Sequence, residues 1–493
     1  MGVMRFTVHP EGLLDPDSDA RRAYVSGFDG RVFPARIEPT PGQVEIRRVN
    51  SDSGKLHISY PVEGFGRPVI CTASLRESDD PYILALELAR GRIVQLRNQL
   101  ATWEALGMTV PDNFQEVHRE AHSLFAQATA AKPDVAKVAA LADMAIARSL
   151  EAAELLTTAY VRQRLMVRLK RSPQLPVSFS CEINCDADIE AHGEIFQQAF
   201  TSAAVPIEWK QIEKQEGEYD WDLLDKLVEW GTENRMLLRG GPLLNLSQNG
   251  LPEWLKQWGH DFFNLQSFLS DFVETAINRY LGRVRIWEVS SRVNTGGAFN
   301  LNEEERLTLV AKTLEVARQV DEEAQLQIRI EQPWGAYQAA GEHRLSPIQF
   351  VDALLRCGVG LSGVNLEIAA GYNDQSALPR DLLDTSRLID QWSMLEVPLS
   401  VTLAYPSTAL PDPASTSDLT VRAESCSDAE QAKWIDKMVS LLMAKQSVVG
   451  IYWSHLSDKA PHEFPNAGLI NADGTPKDGI QSFLKHRSGQ SLS

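Results

Sequence analysis

Residues 284–332 read VRIWEVSSRVNTGGAFNLNEEERLTLVAKTLEVARQVDEEAQLQIRIEQ, and this stretch decides the architecture. Its first eight residues, VRIWEVSS (284–291), and its last six, QIRIEQ (327–332), are short runs rich in β-branched and aromatic residues, of strand length. Between them NEEERLTLVAKTLEVARQV (302–320) carries apolar residues at helical spacing. Outward in both directions the same alternation repeats. Upstream lie VSFSCEI (177–183), SAAVPIEW (202–209) and MLLRGGPL (236–243); downstream lie GVNLEIA (363–369), LSVTLAY (399–405) and VGIYWSH (449–455). Helical patterns such as DLLDKLVEWGTEN and DAEQAKWIDKMVSLLMAKQ fill the intervals. Eight strand–helix units of this period predict an α/β fold, a (β/α)8 TIM barrel, over residues 173–493. In that fold the active site lies at the C-terminal ends of the strands.

The chain before the barrel has two characters. Residues 1–76 break into short alternating or β-branched segments separated by Asp/Gly and Pro/Gly, which predicts a small N-terminal β module of sandwich type. Residues 77–172 form a helical region, with apolar stripes that two or three antiparallel helices would bury against one another. The β module reads equally as a sugar-binding module or as a lid or dimerisation element.

Composition narrows the function classes. The 493 residues are 43% hydrophobic, enough for a large core, and the net charge is −18. An acidic chain without a basic stripe repels phosphate backbones, so nucleic acid is not expected as a partner. No apolar run is long enough for a membrane span, and the first residues lack an apolar leader, so the default expectation is a cytoplasmic protein. Five cysteines, Cys71, Cys181, Cys185, Cys357 and Cys426, are too few and too scattered for a disulfide framework. Cys181 and Cys185 read as core thiols on and just after a strand. No metal-ligand cluster stands at zinc or calcium spacing, and no cofactor is implied.

Four segments, in order, resemble the family 10 glycoside hydrolases, the xylanase family. PIEWKQIEKQEGEYDWDLLDKLVEW (206–230) is similar to the family's strand-two stretch, and RGGPLLNLSQNGLPEWL (239–255) to its Arg-Gly-His … Leu-Pro-x-Trp stretch. VRIWEVSSRVN (284–294) resembles Trp-Asp-Val-Val-Asn-Glu, and the strand-eight pieces 448–461 and 467–484 resemble the family's Trp and Gly-x-Pro-Lys motifs. The resemblance implies a glycosidase barrel acting on a carbohydrate. It also shows departures. Arg292 stands where the family has its acid/base Glu, and Leu403, after Thr402, where it has its nucleophile. Glu208 replaces the strand-two Lys and Gly241 the strand-three His, while the strand-six His falls near Ala369.

Glycoside hydrolysis needs two carboxyls across the scissile bond, roughly 5–5.5 Å apart for retention and roughly 6.5–9.5 Å for inversion. One must stay protonated near neutral pH. The carboxylates left at strand ends are Glu208, Glu288, Glu331 and Glu367. Glu331 and Glu367 end neighbouring strands, where about 4.8 Å separates the backbones, and form the predicted catalytic pair. The other reading is that each pairs with a barrel arginine: Arg239, Arg292 or Arg329. Glu288 reads as structural, and Arg292 as a pocket residue that binds a sugar or bridges to Glu331 or Glu208. Trp209, Trp334 and Trp453 are strand-end indoles suited to stacking on a sugar, with Tyr372 and His455 as further contacts. Two functions follow: a glycoside hydrolase with a relocated carboxylate pair, or a carbohydrate-binding or scaffold protein that kept the barrel without the chemistry. The sequence sets no oligomeric state.

Overall fold

The computed structural model describes residues 2–15, 19–49, 51–172, 174–341, 343–373, 378–422 and 426–489. The contacts divide the chain into two units. One is Met1–Pro173 with Trp334–Ser346 and Leu378–Leu388; the other is Gln174–Pro333 with Pro347–Ala377 and Ile389–Ser493.

In the first unit, strands β1 (Gly2–Thr7), β4 (Ala35–Thr40), β5 (Gln43–Arg48) and β8 (Tyr82–Ile83) form one sheet in the order β4-β5-β1-β8. A second sheet runs β3-β2-β6-β7 through β2 (Tyr24–Ser26), β3 (Val32–Phe33), β6 (Lys55–Ser59) and β7 (Val69–Cys71). Helices α1 (Leu84–Ala105), α2 (Asp112–Ala130) and α3 (Val135–Arg171) follow. Phe6, Val25 and Ile46 from the sheets share one buried cluster with Leu86, Leu88, Val138 and Ile146 from the helices. The stretches that differ in character along the sequence therefore have a common core. Two segments from between barrel strands join this unit: Arg92 on α1 pairs with Asp381, and Arg380 lies 4.8 Å above the Trp334 ring.

The second unit is the barrel. Its strands are β9 (Ser178–Glu182), β10 (Ser202–Val205), β11 (Leu237–Gly240), β13 (Val284–Ser291), β14 (Gln325–Ile330), β15 (Gly363–Ala369), β16 (Leu399–Ala404) and β17 (Val448–Trp453). Each pairs in parallel with the next, β11 pairs directly with β13, and β17 pairs with β9 to close the ring. A two-residue strand, β12 (Leu244–Asn245), lies beside the end of β13. The helices of this unit are α4 (Asp186–Ala199), the single turn α5 (Trp209–Ile212), α6 (Asp222–Glu233), α7 (Phe262–Arg279), α8 (Glu303–Val320), α9 (Pro347–Cys357), α11 (Asp428–Ala444) and α12 (Asp478–Arg487), with the last residues of α10 (Leu382–Trp392), whose earlier part to Leu388 belongs to the first unit. All eight strand segments expected from the sequence are staves of this barrel. Local chemistry sets the helix starts: Asn302 and Glu305 make a reciprocal capping box at α8, and Ser427 caps α11.

Strand alternation decides what the barrel encloses. On β15, Val364, Leu366 and Ile368 face one way, and Asn365 and Glu367 the other. Asn365 Nδ2 donates to Glu288 Oε2 at 2.6 Å, across the barrel from β13, so the polar side of β15 is the inner one. Glu288 is 1% exposed. Arg239 Nη1 on β11 lies 2.8 Å from one of its oxygens and Arg329 Nη2 on β14 lies 2.5 Å from the other. The Arg239 guanidinium also lies 4.2 Å above the Tyr452 ring on β17. Burial raises the cost of ionising Glu288, but Arg329 and Arg239 outweigh it and hold its pKa below the usual carboxylate range.

Removing one partner of a buried charge group leaves the others uncompensated. Glu288→Ala strands two interior guanidiniums, so denaturant unfolding should show a loss of about 3–5 kcal/mol. A loss under about 1 kcal/mol, the size typical of a surface pair, would contradict the interior role assigned to Glu288.

Candidate active site at the C-terminal mouth of the barrel

Above Glu288, the strand ends carry a second tier of charge. Arg292 follows β13 with a φ of 57°, in the left-handed region that a side chain enters at a cost on the order of 1 kcal/mol. In this conformation its backbone N–H donates to Glu331 Oε1 at 2.8 Å. Asn294 anchors the same corner: its Nδ2 donates to the Glu331 carbonyl at 2.7 Å.

Glu331 follows β14, and Glu367 is on β15. The β14–β15 register pairs Ile330 with Leu366, so the two carboxylates leave neighbouring strands side by side. The Arg292 guanidinium joins them. Its Nε is 3.9 Å from Glu331 Oε1 and its Nη2 is 3.3 Å from Glu367 Oε1. The same Nη2 contacts Glu463, in the loop after β17. Arg329 Nη1 reaches Glu367 Oε2 at 3.6 Å and so links the two tiers. Glu331 is fully buried, Glu367 is 3% exposed, and among the described residues Oε2 of each has no hydrogen-bond partner.

Burial dominates the titration of this group. It pushes Glu331 up to about 8; Arg292 opposes the rise and the charge of Glu367 adds to it. Glu367 is also raised by burial, with Arg292 opposing and Glu463 adding. Two half-buried carboxylates complete the mouth. Glu182, the last residue of β9, is pushed up to about 8 by burial and then by Glu208. Glu208, just past β10, is raised by burial and by Glu463, and accepts from Gln211 Nε2 at 3.0 Å.

Of the residues expected from the sequence, Glu331, Glu367, Arg292 and Glu208 therefore lie at one mouth. Both carboxylates of the expected pair also carry the arginine contacts of the bridging alternative. The others lie elsewhere. Trp209 is buried, stacked 5.1 Å from Phe272, and its Nε1 donates to Glu213 at 2.6 Å. Trp453 is buried against Phe483 and donates to the Ala467 carbonyl. Tyr372 is buried and donates to the Pro465 carbonyl. Trp334 belongs to the first unit, under Arg380. Leu403 is fully buried. At Gly241, with φ at 117°, a Cβ would lie 2.1 Å from the Glu288 carbonyl oxygen, so no side chain fits at that position. Glu182 and Glu463 are the contributors that sequence reasoning missed. Glu182 was visible as the last polar residue of a strand segment. Glu463 had no comparable signal, since it comes from an irregular loop.

The sequence reading found no metal cluster, yet His455, Asp458 and His462 bring their ligand atoms within 4.8 Å of one another. Each is already engaged. Asp458 takes the Lys477 ammonium at 2.5 Å and the Gly468 N–H at 2.7 Å. His462 lies between the Ala460 carbonyl at 2.8 Å and Asp412 at 2.9 Å. Lys477 supplies the positive charge that a metal would bring, and the cluster fastens the loop after β17.

The family profile described as glycosyl hydrolase family 10 matches residues 190–478. Endo-1,4-beta-xylanase B of Thermotoga neapolitana is 28% identical over 117 residues, which is 23% of this chain and 33% of that protein. Endo-1,4-beta-xylanase 3 of Hypocrea jecorina is 29% identical over 126 residues, 25% of this chain and 35% of that protein. The chain thus spans about a third of the length of these curated relatives. Among solved structures, native xylanase 10B from Thermotoga maritima superposes with a TM-score of 0.49 at 17% identity, covering 67% of this chain and 98% of that one. Among the described residues, no helix is long and apolar enough to cross a membrane.

The raised carboxyls make stability depend on pH in a defined direction. In the unfolded chain Glu331 ionises near 4.5, and in the folded chain near 8. Between these values the folded state binds more protons, so stability falls as pH rises through that window. Glu331→Gln removes this contribution. Thermal unfolding across the window should show a shallower decline for the variant than for the wild type. Parallel curves would show that Glu331 is already ionised in the folded protein.

Proposed function

The chain belongs to glycosyl hydrolase family 10, and from that premise we propose that it hydrolyses a polysaccharide or oligosaccharide with Glu331 and Glu367 as its carboxyl pair. The observation that carries the reading is the side-by-side exit of these carboxyls from β14 and β15; burial, which pushes Glu331 up to about 8, favours its protonated form at neutral pH. A protonated carboxyl can donate to the leaving glycosidic oxygen. Glu367, facing Arg292 and Arg329, is the member of the pair better able to carry charge, as base toward water or as nucleophile. Access runs past Arg292. Its partner Glu463 has a side chain 38% exposed, and a sugar entering there displaces that clasp to reach the two buried carboxyls.

A second reading is favoured by the same guanidinium. Arg292 occupies the position where the family resemblance calls for the acid, and it contacts both carboxyls of the pair. In that reading the mouth binds a carbohydrate without cleaving it, and Glu182, Glu208 and Glu463 make the contacts.

A panel of polysaccharides and aryl glycosides, headed by xylan, separates the two. The hydrolase reading expects turnover on at least one member. It expects Glu331→Gln and Glu367→Gln each to reduce that turnover about 10²–10⁴-fold with the fold retained, since general acid–base groups contribute on that scale. Undiminished turnover in both variants would remove the pair from the chemistry. Binding without cleavage by the wild type would favour the second reading.

A further inference from the structure

Three residues beyond Glu331 the chain leaves the barrel unit. Pro333 ends that stretch of the barrel, and Trp334 opens a segment, Trp334–Ser346, that belongs to the N-terminal unit. The link is short and stiff. Gln332 is in the left-handed region at φ 45°, and the Pro333 ring fixes its own φ. Whatever holds Trp334 therefore acts on Glu331 with little slack between them.

Trp334 is held by Arg380. The guanidinium lies 4.8 Å above the Trp334 ring, its Nη2 donates to the Tyr24 hydroxyl of β2 at 2.5 Å, and its Nη1 lies 3.6 Å from Asp384. The Arg380 side chain is 4% exposed, so the cation meets the indole largely out of water, where such a contact is strongest. The residues around Arg380 fix it in turn. The Pro379 carbonyl accepts from the Val69 N–H of β7 at 2.9 Å, Asp381 pairs with Arg92 of α1, and Asp384 accepts from Gln95 of the same helix. Three elements of the N-terminal unit, β2, β7 and α1, thus fix the guanidinium that covers Trp334. On the barrel side, Asn294 holds the Glu331 peptide: its Nδ2 donates to the Glu331 carbonyl at 2.7 Å and its Oδ1 accepts from the Glu331 N–H at 3.3 Å.

Resting on the reading of Glu331 as an acid in hydrolysis, we propose that Arg380 is a positioning residue for it: by clamping Trp334 to the N-terminal unit, Arg380 fixes the chain that follows Glu331 and holds the carboxyl in its buried place. The N-terminal unit then serves the chemistry of the barrel through the covalent chain that the two units share. The alternative is that Asn294 suffices to hold Glu331, and that Arg380 serves only the stability of its own unit.

Infrared titration of Glu331 in the full chain separates the two. Arg380→Met keeps a long side chain and removes its charge. With the fold retained by circular dichroism, the Glu331 midpoint should fall from about 8 toward 4.5 by about one pH unit or more, because a loosened carboxyl meets more water. Trp334→Leu, which keeps an apolar side chain in place, should lower the midpoint likewise. Arg380→Lys, which keeps a cation for the ring, should restore part of the interval. On a glycan that the wild type cleaves, the alkaline limb of the kcat profile should move down by the same interval. A role confined to stability lowers the unfolding temperature and leaves the midpoint near 8. An unmoved midpoint in folded Arg380→Met, or in Trp334→Leu where the first variant does not fold, overturns the inference and leaves the hydrolase reading intact. A wild-type midpoint already near 4.5 also overturns it, since no buried acid is then being held. Absence of cleavage by the wild type would sink the hydrolase reading, while the midpoint, which needs no turnover, still decides whether Arg380 positions Glu331.

Discussion

The ion pairs that Glu288 makes with Arg239 and Arg329 organise everything above them. A charge in a barrel interior is tolerated only when paired and hydrogen-bonded, and Glu288 has both guanidiniums and the Asn365 amide. Arg329, fixed from below by Glu288, extends its other nitrogen to Glu367. Glu367 is in turn bridged by Arg292 to Glu331 and Glu463. Glu288 titrates low because Arg329 and Arg239 outweigh its burial. At Glu182, Glu208, Glu331 and Glu367 burial wins, and a neighbouring carboxylate adds to it at each.

Much of the barrel was legible because its signal is local. Each stave is a short β-branched run, and each crossover carries a helical stripe, so period and order alone give the closed parallel sheet. The neighbouring exits of Glu331 and Glu367 follow from the same logic, since consecutive staves pair. Other features depend on distant parts of the chain. Trp209 and Trp453 lie at strand ends like sugar-stacking residues, but Phe272 on α7 and Phe483 on α12 cover them. Glu463 reaches Arg292 from a loop whose path no periodicity encodes. Segments between barrel strands, around Trp334 and Asp381, join the N-terminal unit through Arg380 and Arg92, partners that spacing cannot reveal.

The departures from the family pattern have physical consequences that fit together. With Gly241 unable to carry a side chain and Leu403 closed in the core, two corners of the mouth contribute no polar group. Polar chemistry is concentrated instead on β9, β10, β14 and β15 and on the loop after β17. Arg292, at the centre, neutralises part of this charge in the free protein. The same contacts make it the group that a ligand must move. A barrel of this kind hosts many chemistries, so function rests on this cluster and not on the fold.

The central claim is that burial, reinforced by the neighbouring charge of Glu367, keeps Glu331 protonated at neutral pH. Infrared difference spectroscopy of the full chain, with the Glu331 carboxyl band assigned by its loss in Glu331→Gln, measures this directly. The account predicts a protonated carboxylic acid band at neutral pH that gives way to carboxylate near pH 8. A Glu331 signal already in the carboxylate form at neutral pH, titrating near the ordinary 4.5, would contradict it.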